Sequence, residues 1–201
     1  MNLKLVAILA VLTLSACAES KWATDEAVAA ARYVAPAPRS ITLYSVVATR
    51  NGSGAHSGLL VNASEQVMFD PAGTWYHPHL PERNDVHFGI TPTMIDFYID
   101  YHARVTYDVI EQTVVVPPEV AEMVLERVKA YGAVPKAQCS NSVSNILAGV
   151  PGFESIGPTL WPNRLSKEFA KIPGATYQRY TDDDADDNHG VLLVQAGQPA
   201  Q

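Results

Sequence analysis

Residues 136–150 of this chain contain one cysteine, Cys139, followed by apolar residues at helical spacing. Downstream of Cys139 the apolar residues recur at spacings of three, four and seven, which is the periodicity of an amphipathic helix. Ser140 is a suitable N-cap, and Gly149 suits a left-handed turn that ends the helix. The pattern therefore predicts a helix that begins at or next to Cys139. Its predicted apolar face consists of Val143, Ile146, Leu147 and Val150.

This position gives Cys139 two interpretations. Unpaired N–H groups and the positive end of the helix dipole stabilise an anion at a helix N-terminus. A thiol held there has a lowered pKa, and its thiolate form is the nucleophile. The second interpretation is a small apolar residue that fills a gap in the core, because free cysteine is among the most buried residue types. The spacing alone leaves both open.

The N-terminus has the pattern of a bacterial lipoprotein signal. A positive start with Lys4 precedes an apolar run, residues 5–14, that is too short to span a bilayer, and small residues lead to Cys17. We predict a signal peptide over residues 1–16 and a lipid on the Cys17 thiol, with a plain secretory signal as the alternative. Ala18 follows the cysteine, as in signals of outer-membrane lipoproteins. We expect a protein tethered to the outer membrane and facing the periplasm.

Charge and cysteine content limit the partners. The chain carries a net charge of −7, and without the signal peptide 13 basic and 21 acidic residues remain, which gives −8. This balance argues against nucleic acid or an anionic membrane surface as a partner. With Cys17 lipidated, Cys139 has no cysteine with which to form a disulfide. Because secreted proteins use most cysteines in disulfides, an unpaired one is either reactive or fully buried.

The remaining sequence alternates strand-like and helix-like segments. Residues 17–40 are rich in alanine and end in prolines, which predicts a tether with a helix from Asp25 to Tyr33. We predict one domain over residues 41–196 and a tail at 197–201. The order of segments predicts an α+β fold with an antiparallel sheet packed against helices. The predicted strands are 41–49, 55–61, 66–70, 86–90, 106–116, 176–181 and 191–195, and the predicted helices begin at Thr91 and span 119–131, the Cys139 segment and 165–172.

A reactive cysteine needs a base that takes its proton and returns it to the leaving group. His56 stands at the start of an apolar strand, where it is either that base or a histidine that caps the strand end. The base must in turn be held in one tautomer, and Asp70, at the end of the next strand, is the best candidate. A three-residue hairpin loop, such as 62–64, brings Asp70 to the face of His56, whereas a two-residue loop does not.

A histidine in one strand, a polar residue in the next and a cysteine at a helix N-terminus about 80 residues later form a recognisable order. It resembles that of the circularly permuted papain-like hydrolases of the NlpC type, a group that includes lecithin:retinol acyltransferase-like enzymes. The resemblance covers residues 41–172 and implies a permuted papain-like fold. It also implies that Cys139 is the nucleophile, His56 the base and Asp70 the orienting group. The oxyanion hole would include the backbone N–H of Cys139 or Ser140.

The sequence departs from that family at two points. Gln138 precedes the cysteine where an aromatic residue or asparagine is expected, and Ser57 and Gly58 follow His56 where a bulky residue is expected. Both departures bear on the substrate more than on the fold.

The loop at residues 71–85 is predicted to form a lid or wall of the substrate site. A metal site formed by its histidines and His87 is the alternative. No carboxylate or cysteine completes a ligand set at a known spacing, so we predict no metal and no cofactor. The acidic run at 182–187 lacks the glycine and glutamate of a calcium loop and is predicted to be a solvated turn. The predicted lining residues are Trp75, Tyr76, His77 and His79.

Together these expectations describe an envelope-anchored cysteine hydrolase that acts through a thioester on Cys139. Peptidoglycan stem peptides are the obvious amides at the periplasmic face of the outer membrane. A lipid ester as substrate would instead make the protein an acyltransferase or thioesterase. A third possibility is a lipoprotein that binds an envelope partner in the same cleft without turnover. The enzyme requires a solvent-reachable Cys139 within hydrogen-bond range of His56.

Overall fold

The structure, a computed structural model, describes residues 20–188. The predicted signal peptide, Cys17, the predicted strand at 191–195 and the tail at 197–201 lie outside the described residues. Within residues 20–188, no helix has the length and apolar character needed to span a membrane.

A seven-stranded antiparallel sheet and five helices make up the described chain, which is α+β as predicted. The strands are β1 (Ser40–Ala48), β2 (Gly54–Asn62), β3 (Gln66–Phe69), β4 (Glu82–Arg83), β5 (Val86–Phe88), β6 (Tyr107–Val115) and β7 (Gln178–Tyr180). The helices are α1 (Asp25–Ala31), α2 (Pro92–His102), α3 (Pro118–Tyr131), α4 (Cys139–Leu147) and α5 (Pro162–Phe169). Across the sheet the strand order is β4-β5-β3-β2-β1-β6-β7, so the predicted β2–β3 hairpin lies near the centre.

The register of this hairpin decides which side chains meet. Asn62 pairs with Gln66, so the loop consists of residues 63–65, one position later than the predicted 62–64. Because the loop still has three residues, the parity of the pairing is unchanged. Leu59 pairs with Phe69, and the next residue, Asp70, therefore follows β3 on the face of the sheet that His56 shares.

One face of the sheet is covered by α3, α4 and α5 and is almost wholly apolar. Alternate residues of the central strands point to it, as the period of two in a strand requires. Each large side chain buried there contributes about 1.5–3 kcal/mol through the hydrophobic effect. We call this the apolar layer; it includes Ile41, Leu43, Leu59, Val61, Val67, Phe69, Val124, Leu125, Val143, Ile146, Leu147, Phe153, Leu165 and Phe169.

The opposite face is covered by α2 and is rich in aromatic rings. As predicted, α2 begins after Thr91, whose hydroxyl accepts a hydrogen bond from the Met94 N–H, with Pro92 in the first turn. We call this the aromatic layer; it includes Tyr44, Leu60, Met68, Trp75, Met94, Tyr98 and Tyr101.

Helix α4 begins at Cys139, as the periodicity predicts, and its buried face includes the predicted Val143. The predicted N-cap is wrong. Gln138 occupies that position without a capping side chain, while Ser140 lies inside the first turn. The Ser140 hydroxyl is used elsewhere, in a hydrogen bond to the β2 strand. At the other end, Gly149 has the predicted positive φ, 70°.

The described part of the predicted tether, residues 20–39, packs against the domain. Helix α1 begins at Asp25 as predicted and ends at Ala31, before Tyr33. The Tyr33 carbonyl accepts a hydrogen bond of 2.8 Å from the Gln66 N–H on β3, and the Ala23 carbonyl accepts one from Arg83 on β4. These residues therefore contact the edge strand β4 and the start of the inner strand β3.

Candidate active site

The three predicted catalytic side chains lie at one end of the sheet. His56 is on β2, Asp70 follows β3, and Cys139 is the first residue of α4. His56 Nε2 lies 2.7 Å from Asp70 Oδ1, so the predicted hydrogen bond between them is present. Asp70 is almost fully buried, whereas the His56 side chain retains 14% of its exposure. The ring is therefore held by a buried carboxylate while part of it stays accessible.

Burial opposes a charge on either member of the His56–Asp70 pair. By itself, burial lowers the pKa of His56 and raises that of Asp70. The opposite charges and the hydrogen bond between them outweigh burial, raising the pKa of His56 to about 10 and holding the pKa of Asp70 well below its usual range. At neutral pH the pair is an imidazolium and a carboxylate, and His56 Nε2 is the donor.

The Cys139 thiol and the His56 ring shift each other's pKa. Burial raises the pKa of Cys139, but the hydrogen bond to His56 and the charge of its ring outweigh burial and lower it. Cys139 forms no disulfide and is 8% exposed. The site therefore places a buried thiol of lowered pKa next to a protonated imidazole.

Two buried serines support the thiol from β2 and α4. Ser57 Oγ lies 2.9 Å from Ser140 Oγ, and Ser140 Oγ lies 3.9 Å from Cys139 Sγ. When the thiol is ionised it only accepts hydrogen bonds, so in that state the Ser140 hydroxyl donates to the sulfur and Ser57 donates to Ser140. The backbone N–H of Ser57 also lowers the pKa of Cys139. Together these donors stabilise the thiolate, and the two hydroxyls were not predicted from the sequence.

Asp70 is held by Tyr98, and two glycines leave room for this pair, Gly58 for the tyrosine and Gly73 for the aspartate. The Tyr98 hydroxyl donates to Asp70 Oδ1 at 2.8 Å, the same oxygen that His56 binds. A Cβ at Gly58 would lie 2.2 Å from the Tyr98 hydroxyl, and a Cβ at Gly73 would lie 1.7 Å from Asp70 Oδ2. Gly58, the small residue where the family has a bulky one, thus makes room for Tyr98. Asp70 Oδ2 is buried without a hydrogen-bond partner.

A second histidine, His102, stacks on His56 and was not predicted from the sequence. The two rings are 4° from parallel, with centroids 5.5 Å apart. His102 is buried at the end of α2, one turn after Tyr98. Burial, assisted by the charge of His56, lowers the pKa of His102 to about 4, so it is neutral beside the imidazolium. Tyr98 and His102 are four residues apart on a helix, a spacing that places both on one face. This spacing could have indicated His102 as a site residue from the sequence.

A cavity of about 210 Å³ opens beside His56 and His102. A larger cavity of about 630 Å³ shares Ala55, Tyr107 and Asn188 with it and extends toward Arg50. Together they form a groove along the start of β2. The smaller cavity is lined by the two histidines and by Val46, Ala55, Ala72, Gly73, Thr74, Tyr101, Tyr107 and Asn188.

The four predicted lining residues lie elsewhere than in this cavity. Trp75 is buried in the aromatic layer, where its ring contacts Tyr98 and His87, and His77 is buried against Phe97. Tyr76 is 47% exposed, and His79 lines a separate cavity of about 660 Å³ next to α1. The loop packs its rings onto α2 because burial of large aromatic surface is favourable.

Two groups in residues 20–188 have the composition of a metal site. One is His56, Asp70 and His102; the other is Asp100, Asp182 and Asp184. The histidines of the 71–85 loop and His87 do not form such a group within that part of the chain. In the predicted solvated turn, Asp184 accepts a hydrogen bond from the buried Arg104, and Asp186 accepts one from Thr106.

The N-terminus of α4 supplies donors for an oxyanion. The first N–H groups of a helix have no helical carbonyl to bind, and here they belong to Cys139, Ser140 and Asn141. They lie in the same helical turn as the Cys139 side chain, where they could bind an oxyanion if the sulfur attacked a carbonyl.

Comparisons with known protein families, curated proteins and solved structures gave no match to this chain. The resemblance to permuted papain-like hydrolases rests on the order and chemistry of the site residues.

Proposed function

We propose that this protein is a cysteine hydrolase with a permuted papain-like arrangement. The observation that carries the proposal is the hydrogen bond between His56 and buried Asp70, together with a Cys139 thiol whose pKa the His56 ring lowers. A thiol at a helix N-terminus, an imidazole and an orienting carboxylate are the parts that acyl transfer requires.

The mechanism follows from the protonation states. The Cys139 thiolate attacks the carbonyl carbon, and the N–H groups at the start of α4 bind the oxyanion. The His56 imidazolium gives its proton to the leaving amine, and a thioester on Cys139 remains. Neutral His56 then takes a proton from water as that water attacks the thioester. The carbon–sulfur bond breaks, and the thiolate–imidazolium pair is restored.

We propose an amide in a peptide as the substrate, with a peptidoglycan stem peptide as the leading choice. The groove beside His56 is open along the start of β2 and reaches Arg50, which forms no ion pair within residues 20–188. A stem peptide carries free carboxylates that a guanidinium can bind. This supports a peptide over a lipid ester, whose acyl chain would require an apolar channel.

The test is incubation of the domain with purified stem peptides, with products identified by mass spectrometry. We expect amide cleavage by the wild type, none by Cys139→Ala, and a loss of about 10²- to 10⁴-fold for His56→Ala. Lys136→Ala, a change of an exposed cation three residues before the nucleophile, should leave the rate unchanged.

Two outcomes of this test would change the assignment. Cleavage of lipid esters but not of peptides would make the protein a thioesterase or acyltransferase. Binding of stem peptides with no product, and no adduct on Cys139, would make it a binding lipoprotein.

We further propose that a lipid on Cys17 anchors the protein to the outer membrane. Cys17→Ser should release it into the soluble periplasmic fraction or leave the signal uncleaved. A processed Cys17→Ser protein that remains with the membrane fraction would contradict this anchor.

A further inference from the structure

His102 has a fixed tautomer that leaves one ring nitrogen available. Its Nδ1 lies 2.8 Å from the Tyr98 carbonyl oxygen. A carbonyl oxygen only accepts hydrogen bonds, so Nδ1 carries the proton. Nε2 of the neutral ring is then a bare acceptor, and no hydrogen bond to it occurs within residues 20–188. His102 lines the cavity beside His56, so its ring borders open space.

This acceptor lies beside the proposed acid–base group. His102 and His56 line the same cavity, and their rings stack in parallel. One nitrogen of each ring and one oxygen of Asp70 lie within 4.8 Å of one another. A molecule in the cavity therefore lies next to both imidazole rings.

The second half of the proposed reaction requires such a molecule. After acylation His56 is neutral. The acyl acceptor must then direct one O–H or N–H bond to His56 and the lone pair of the same oxygen or nitrogen to the thioester. A second acceptor that binds another X–H bond fixes this orientation, and orientation contributes substantially to the rate. His102 suits this role because it stays neutral, and hence an acceptor, at pH values where His56 is charged.

The size of the cavity limits the acceptor. Its volume of about 210 Å³ is below the roughly 300–1,000 Å³ typical of ligand pockets. Three of its lining residues, Ala55, Ala72 and Gly73, have the smallest side chains. Water or a small amine fits this cavity, whereas the proposed peptide substrate would need the larger neighbouring cavity that reaches Arg50.

We propose that His102 Nε2 binds the acyl acceptor, water or a small primary amine, in this cavity; the assignment rests on the proposed function. The acceptor oxygen or nitrogen forms the new bond to the acyl carbon, and the carbon–sulfur bond to Cys139 breaks. The proton of the acceptor passes to His56, and the electron pair of the broken bond stays on the sulfur.

The experiment separates acylation from deacylation with p-nitrophenyl acetate, an activated ester that reports both. The burst of nitrophenol measures acylation of Cys139, and the steady state measures transfer to the acceptor. His102→Asn keeps an N–H near the position of Nδ1 but removes the Nε2 acceptor. His102→Gln places an amide oxygen near the position of Nε2.

We expect His102→Asn to keep the burst rate within about twofold of the wild type. Its steady-state rate should fall by about 10- to 100-fold, which is the effect of one strong hydrogen bond. His102→Gln should recover most of that loss. Addition of glycine amide should divert product to the amide in the wild type, and less so in His102→Asn. Thermal unfolding of both variants checks that they fold.

Several outcomes would overturn the assignment. An equal loss in burst and steady state would show that His102 acts on the fold or on His56, not on the acceptor. Loss of the steady-state rate on addition of EDTA would make His102 a metal ligand.

A wild type without a burst would overturn the proposed function itself. In that case ¹⁵N NMR of Cys139→Ala decides the His102 assignment. A shift of His102 Nε2 on addition of methylamine supports an amine site, and no shift overturns it.

Discussion

The two faces of the sheet are buried by different chemistry. The apolar layer, under α3, α4 and α5, consists of aliphatic side chains and phenylalanine rings. The aromatic layer, under α2, buries Asp70, His87 and His102 together with its rings. Hydrophobic burial explains the first layer directly. Polar groups in the second are costly to bury, and replacing such networks by apolar residues is often neutral or stabilising. The aromatic layer is therefore better explained by chemistry than by stability.

The strand β2 takes part in both layers. Ser57 contacts Ser140 of α4, while its neighbour His56 contacts Asp70 on the side of α2. Successive side chains of a strand point to opposite faces, so one strand end delivers a base to one layer and a hydroxyl to the other. Cys139, at the start of α4, lies where these two contributions meet.

The largest effect is expected in the apolar layer. Phe169 is fully buried and contacts Phe153, with ring centroids 5.9 Å apart. Phe169→Ala should lower the free energy of unfolding by about 3–5 kcal/mol, as measured by urea denaturation. The alkylation rate of Cys139 in the folded protein should stay within about threefold of the wild type. A larger change would mean that the layers do not act separately.

The His56–Asp70 pair predicts a dependence of stability on pH, measured in Cys139→Ser protein so that the thiol does not titrate. Burial lowers the pKa of His56 in the folded protein, but Asp70 and, to a smaller extent, Cys139 raise it to about 10, against 6.5 for an ordinary histidine. Asp70 remains in the variant, so its folded state still binds more protons than the unfolded state above pH 6.5. The free energy of unfolding should fall from pH 7 to pH 10, by at most about 1.4 kcal/mol per pH unit. Asp70→Asn should flatten this decline. A profile that is already flat with Asp70 in place would contradict the ion pair.

A smaller effect is expected at the glycine that accommodates Tyr98. A Cβ at Gly58 would lie 2.2 Å from the Tyr98 hydroxyl, so Gly58→Ala must displace Tyr98 from Asp70. We expect a loss of about 1–3 kcal/mol in unfolding free energy and slower alkylation of Cys139. Gly157→Ala is the matched control because nothing lies within 4 Å of its added Cβ, and it should be neutral. Equal effects of the two would remove the proposed role of Tyr98.

The smallest effect is expected for the Ser57 hydroxyl, which points to the apolar layer and forms a hydrogen bond with the Ser140 hydroxyl. Ser57→Ala removes one donor to Ser140 but keeps the backbone N–H. The pKa of Cys139 should rise by a few tenths of a unit, without a change in the midpoint of thermal unfolding. A rise as large as that caused by His56→Ala would assign the main role to the serines.

The parts of this site that local patterns specify were predictable from the sequence, whereas those that depend on packing were not. Helical periodicity gave the start of α4, and hairpin parity gave the face of Asp70 although the loop is one residue later. Ser140 was taken as a cap because its partner, Ser57, is 83 residues away. His102 escaped notice because only the packing of α2 on the sheet brings it to His56. The Trp75 loop was assigned to the site, but its rings pack onto α2.

The central claim is that Cys139 is a thiolate paired with His56, and the pH dependence of its alkylation tests this most directly. Iodoacetamide labelling of the folded protein should give a thiol pKa well below the roughly 8.5 of free cysteine. His56→Ala should raise that pKa, and Lys136→Ala should leave it unchanged. If Cys139 is labelled only in denaturant, or with a pKa of 8.5 or more that His56→Ala does not alter, the residue is part of the core and the catalytic account is wrong.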